Sequence, residues 1–186
     1  MDHALVYAGQ MQAILADLPM EPLRRAQEIL RDARLRGAQV FTLGNGGSAA
    51  NASHLACDLG KSCIRADLPR FRVISLVDNV PLATAWANDT DYVNIFAEQL
   101  DSLLDSGDVV LAISASGNSP NVIKAVEKAK EMGAVTIGWS GYDGGKLGRA
   151  VDIPIVIKSD NMQRIEDVQL ILGHVVFHCL MKECSA

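Results

Sequence analysis

The chain has 186 residues, of which 49% are hydrophobic and 21% charged, and a formal net charge of −5. That is enough apolar content for one domain over residues 1–186 with a sizeable core, and the acidic balance offers no basic field for nucleic acid or an anionic membrane. No apolar run approaches the roughly 20 residues that cross a bilayer. Cys57, Cys63, Cys179 and Cys184 form no Cys-x-x-Cys pair and the N-terminus lacks a signal-peptide pattern, so reduced thiols in the cytoplasm are expected.

The first 37 residues carry no strand signal; "MDHALVYAGQMQAILADL" and "MEPLRRAQEILRDARLRG" read as two amphipathic helices. Helices placed ahead of a complete core need a surface to cover, either another copy of the chain or their own domain. A homo-oligomer is the expectation. Short β-rich runs follow: "AQVFTLG" at 38–44, "FRVISLV" at 71–77, "DVVLAIS" at 108–114, "AVTIGWS" at 134–140 and "DIPIVIK" at 152–158. Their apolar residues are consecutive, as in strands covered on both faces. Helical spacing lies between them, as in "PNVIKAVEKAKEMG" at 120–133, which stops at Gly133, and a last apolar helix at about 162–183 closes the domain. The alternation predicts an α/β fold, a doubly wound parallel sheet flanked by helices.

In such sheets ligands sit at the carboxyl ends of strands. After the first strand comes Gly44-Asn45-Gly46-Gly47-Ser48, after the second Asp78-Asn79, and after the third Ser114-Ala115-Ser116-Gly117-Asn118-Ser119. The glycine loop matches neither Gly-x-Gly-x-x-Gly nor the Gly-Lys-Ser/Thr phosphate loop. It is either a tight strand-to-helix turn or a place where backbone N–H groups approach an anion or a hydroxyl-rich ligand. The serine loop puts three hydroxyls beside a helix N-terminus, which can hold a phosphate without arginine; it also reads as an N-cap and a serine-rich turn.

Titratable residues fall on two helices. His54 and Asp58, four apart, share one face. Glu166 and His174, eight apart, also fall near one face, with Asp167 about 100° away. A carboxylate facing an imidazole can shuttle a proton between adjacent carbons, and two histidines with two carboxylates equally suit zinc. His178 competes with His174 for either role.

Taken together, "GNGGSAANASH", "ISASGNSPNVIKAVEKAKEMG", "GYDGGKL" and "RIEDVQLILGH" resemble the sugar isomerase (SIS) domain, and within it the phosphoheptose isomerase family, in order and over residues 5–183. The resemblance implies a five-stranded parallel α/β sandwich. Its N-terminal helical segment, 1–37, would help build a homotetramer with active sites between subunits. The activity implied is conversion of sedoheptulose 7-phosphate to D-glycero-D-manno-heptose 7-phosphate through a cis-enediol(ate), with another sugar phosphate as an alternative. Ser114, Ser116 and Ser119 would cradle phosphate. Asn45, Ser48 and Asp78, with Asn79 beside them, would contact the sugar chain, while Gly46 and Gly47 allow its close approach.

The resemblance makes His174 and Asp58 the catalytic pair, with Asp58 standing where the family usually has a catalytic glutamate and shorter by about one carbon–carbon bond; misplacement on the order of 1 Å can cost about a hundredfold in rate. Glu166 stands for a glutamine, Ala115 for a hydroxyl residue, and Lys61 and Ser62 lie near the place of a displaced basic residue. One zinc per subunit on His54, Asp58, Glu166 and His174 is implied, with Glu166 able to substitute as base or to tune His174. A related branch lacks catalytic residues and binds the bacterial replication initiator. "SAANASH" resembles it too, while His54, Asp58 and His174 favour an enzyme.

Overall fold

Strands with apolar residues on consecutive positions need cover on both faces, and the computed structural model, which describes residues 2–182, supplies it. β1 (Gln39–Gly44), β2 (Arg72–Ser75), β3 (Val109–Ser114), β4 (Val135–Ser140) and β5 (Ile153–Val156) form one parallel sheet in the order β2-β1-β3-β4-β5. Successive side chains of a strand point to opposite faces. Val109, Leu111 and Ile113 of β3 therefore enter one core layer, while Val110 and Ala112 enter the other.

The first layer is covered by α2 (Met20–Arg36), α3 (Gly46–Cys57) and α8 (Met162–Lys182). The second is covered by α5 (Ala97–Leu103), α6 (Pro120–Glu131) and α7 (Gly145–Ala150), with α4 (Val80–Asp89) at its margin. A 3₁₀ turn at Tyr92–Asn94 joins α4 to α5.

The two N-terminal helices have different fates. α2 buries Leu23, Ala26, Leu30 and Ala33 completely against its own sheet and stops at Gly37, whose left-handed φ of 73° lets its N–H cap the helix end. Each such leucine contributes about 1.5 to 3 kcal/mol, and Leu30→Ala should cost about 2 to 5 kcal/mol. α2 is thus part of the domain core. α1 (His3–Ala16) has no buried residue. It is tied to the body by the Tyr7 hydroxyl, which donates to Asp167 at 2.5 Å, and by Lys158 on Asp17 at 2.9 Å, while Leu5 and Val6 face outward. The Asp167 hydrogen bond holds the Tyr7 phenol above its ordinary value.

Chain order reverses between β1 and β3, so the loops leaving these neighbouring strands open on one crevice. α3 and α8 run side by side from that crevice, with Leu55 against Gly173.

Candidate active site

The first strand passes into α3 without a spacer loop. A Cβ added to Gly44 would lie 2.7 Å from the Ser48 carbonyl oxygen and 2.9 Å from that of Ile113, and one added to Gly47 would collide with the Glu166 carboxylate. Glycine at these positions is what lets the first turn of α3 press against β3 on one side and α8 on the other. Opposite stands the serine loop. The Oγ atoms of Ser114 and Ser119 are 3.2 Å apart, and Ser116 Oγ accepts from the Asn118 N–H at 3.2 Å.

Ser119 begins α6 without a side-chain cap and Pro120 occupies its first turn. The two loops and Glu166 line one cavity of about 280 Å³ that includes Asn45, Gly46, Gly47 and Ser48, with Ala115 and Met162 completing the wall. No lysine or arginine is among its described lining residues, so an anion held there is held by neutral donors.

Two turns further along α3 and α8 lies a second constellation. His54 Nε2 is 3.1 Å from His174 Nε2 and 3.4 Å from Asp58 Oδ2, and His174 Nε2 is 3.7 Å from the same carboxylate oxygen. Asp58 caps α3 and opens a π turn over Asp58–Ser62, closed by the Cys63 N–H on the Asp58 carbonyl at 2.9 Å. The widened turn brings Ser62 Oγ to 3.4 Å from Asp58 Oδ1. The Asp58 side chain is 16% exposed, whereas those of His54 and His174 are 47% and 53% exposed, so the carboxylate is sheltered behind two open imidazoles.

The donor set fits zinc. A tetrahedral ion with ligand bonds of about 2.0–2.1 Å separates its donors by about 3.3 Å, and the three spacings straddle that value.

Glu166, expected as a fourth ligand, is not part of this group of three, whose ligand atoms all lie within 4.8 Å of one another. Eight residues separate it from His174, about 12 Å along the helix axis, and its carboxylate lies over Gly47 in the serine cavity. His178 is exposed and also outside the group. Asp78 and Asn79 do not line the cavity. They border a larger groove of about 690 Å³ beside β2, with Ser53 and Cys57, and Asn79 caps α4 by accepting from the Leu82 N–H at 3.1 Å. Among the described residues, that groove holds no cluster of titratable groups comparable to the histidine pair.

Asn45 faces the cavity, yet its amide is held from behind. It exchanges hydrogen bonds with Asn121 at 2.8 and 3.0 Å and accepts from the Tyr92 hydroxyl at 3.0 Å. Asn121 and Tyr92, like Asn51, which donates to the Glu166 carbonyl at 2.9 Å, and Gln169, which accepts from Ser48 at 3.3 Å, are polar residues that no motif or spacing in the sequence singles out. Cys57, Cys63 and Cys179 are free thiols, and Cys184 lies outside the described residues. Burial pushes the Cys63 thiol up to about 11, against a smaller pull from Arg34, which keeps it out of any chemistry near neutrality.

Comparison with known proteins decides the kinship. Residues 6–141 match the SIS domain family. A phosphoheptose isomerase of Clostridium acetobutylicum is 37% identical over 88% of this chain and 83% of its own, and one of Geotalea daltonii is 40% identical over 83% and 80%. The chain belongs to the SIS domain family, among the phosphoheptose isomerases. Solved phosphoheptose isomerases from Neisseria gonorrhoeae and Francisella tularensis superpose with TM-scores of 0.88 and 0.89, at 28% and 26% identity. The first pairing covers 96% of this chain and 97% of the other, the second 97% and 96%. The near-complete overlap extends the phosphoheptose isomerase fold through α8, and so to His174, beyond the stretch that matches the family.

Proposed function

We propose that this sugar-phosphate isomerase interconverts sedoheptulose 7-phosphate and D-glycero-D-manno-heptose 7-phosphate. The observation that carries the reading is the distance between an anion cradle and a proton-transfer group along one helix pair. From Gly47 to His54 on α3, or Glu166 to His174 on α8, is about 10 to 12 Å. An open seven-carbon chain with a terminal phosphate spans on the order of 10 Å, taking a carbon–carbon bond of about 1.5 Å. With phosphate on the serines, the far end of such a chain reaches Asp58 and His174.

Asp58 and His174 then divide the work. The Asp58 carboxylate removes a proton from C1 of the ketose while His174 Nε2 gives one to O2, leaving a cis-enediol. His174 next takes the O1 proton and Asp58 returns its proton to C2, which yields the aldose with every atom accounted for. Asn45 and Ser48, fixed from behind, would meet the sugar hydroxyls.

The same trio would hold zinc through His54, Asp58 and His174. Zinc, when bound there, supplies Lewis-acid polarisation of the substrate carbonyl. Asp58 and His174 would then serve as ligands, while Glu166, lying over Gly47 at the phosphate end of the cavity, is too far from that centre to take the carbon-bound proton.

The half-exposed imidazoles and the outward-facing Leu5 and Val6 of α1 support a homotetramer in which a neighbouring copy closes the site against water. The free thiols of Cys57, Cys63 and Cys179 support a cytoplasmic location.

The test is a panel of sugar phosphates assayed for aldose–ketose exchange and for solvent deuterium entering the carbon beside the carbonyl. Sedoheptulose 7-phosphate should be turned over best and should take up deuterium. No exchange on any member of the panel would overturn the reading.

A further inference from the structure

α8 carries a fully buried amide whose presence packing alone does not explain. Gln169 is 0% exposed, on the same helix as the equally buried Ile165, Val168 and Leu172. Its Oε1 accepts from Ser48 Oγ at 3.3 Å, and its Nε2 has no partner among the described residues. A buried amide with an unmet donor is costlier than an apolar side chain of the same shape. Its one engaged atom reaches the cavity wall, because Ser48, itself 3% exposed, lines the space between the two loops.

A serine hydroxyl has one proton to give and two lone pairs. With its proton committed to Gln169, Ser48 meets a ligand only as an acceptor. Ser116 is the reverse case: its oxygen already accepts from the Asn118 N–H, so its proton is free for an anion. Glu166, when ionised, can only accept. The cavity therefore has a donor end on the serine loop and an acceptor end on α3 and α8.

We propose that Gln169 is a positioning residue that fixes the Ser48 hydroxyl as an acceptor for a sugar hydroxyl, and so orients the substrate with its phosphate toward Ser116. The proposal rests on the sugar-phosphate reading above.

The experiment compares wild type with Gln169→Met, which keeps the volume and discards the amide. Calorimetry with sedoheptulose 7-phosphate and, separately, with inorganic phosphate is paired with steady-state kinetics. Gln169→Met should bind the sugar phosphate about tenfold more weakly, as expected for one hydrogen bond. Its affinity for inorganic phosphate should stay within about threefold, KM should rise while kcat changes little, and Tm should hold or increase.

Should that variant fail to fold, Ser48→Ala reads the same contact from the other side, with the same selective loss. Where both fold, the double variant should be no worse than Ser48→Ala alone. An equal loss of phosphate affinity would mean that Ser48 faces the anion and would overturn the proposal. So would additive losses in the double variant, or unchanged sugar-phosphate binding in Gln169→Met. A wild-type protein that binds no sugar phosphate would instead bring down the functional reading, and this one with it.

Discussion

The imidazoles of His54 and His174 meet edge to face, ring planes at 65° and Nε2 atoms 3.1 Å apart, a spacing that accommodates one proton between them and not two. A shared proton and a shared cation are the two ways to satisfy both nitrogens, with Asp58 on hand to balance either.

Protein prepared without chelator is accordingly expected to carry close to one zinc per chain, and His54→Ala to lose it. Elemental analysis checks both. Wild-type protein that is metal-free as purified, yet fully active, would remove zinc and leave the shared proton.

Asp58→Asn and His174→Ala should each lower turnover of sedoheptulose 7-phosphate by about two to four powers of ten. Both positions border solvent or a loose turn, so the circular dichroism and melting profile should match wild type. High activity retained in both variants would sink the assignment of this pair.

The serine loop is tested by removing two hydroxyls at once. Ser116 and Ser119 are each expected to give phosphate a charge-assisted hydrogen bond worth about 1.5 to 3 kcal/mol. The Ser116→Ala, Ser119→Ala double variant should lose the calorimetric signal for sugar phosphate while keeping its oligomeric state. Wild-type affinity in that variant would place the phosphate elsewhere.

Asp152 supplies a test of pH dependence away from the site. Burial alone would push its carboxyl up, but the hydroxyl and amide of Thr136, at 2.7 and 2.9 Å, and the Lys130 ammonium, at 3.1 Å, outweigh burial and hold it below the ordinary carboxylate value. A depressed carboxylate stabilises the fold above its unfolded-state value, and that contribution is lost as pH falls through the folded-state one. Thr136→Val should therefore be less stable than wild type at neutral pH by about 1 to 2 kcal/mol. Urea denaturation should show the gap narrowing below the usual carboxylate range; a gap indifferent to pH would mean that Thr136 acts without the charge.

The sheet was legible because β1, β3 and β4 are covered on both faces and so carry apolar residues at consecutive positions. α4 and α5 were not, since the stretch from Asp78 to Leu104 mixes Asp, Asn and Thr with short apolar pairs, and its turns are set by local caps such as Asn79 and Asp91. At the site, His54 and Asp58 could be paired from sequence because an i,i+4 spacing is also a spatial contact. Glu166 and His174 share a helical face as well, but a shared face says nothing about separation along the axis, and the Glu166 carboxylate lies over Gly47, outside the group of three. Asn121 and Gln169 carried no signal, because the side chains that engage them, Asn45 and Ser48, lie 76 and 121 residues away in the chain.

The parallel run of α3 and α8 makes the pair a ruler whose graduations are helical turns. Moving the histidines relative to the cradle by a full turn would shift the reaction centre by about 5.4 Å, the reach of roughly four carbon–carbon bonds at about 1.5 Å each. A one-residue insertion between Gln169 and His174 would instead swing the imidazole by about 100°, out of register with His54. Such a scaffold cannot be retuned one carbon at a time through its helices; a relative acting on a sugar shorter or longer by one carbon would have to adjust the side chains at the two ends.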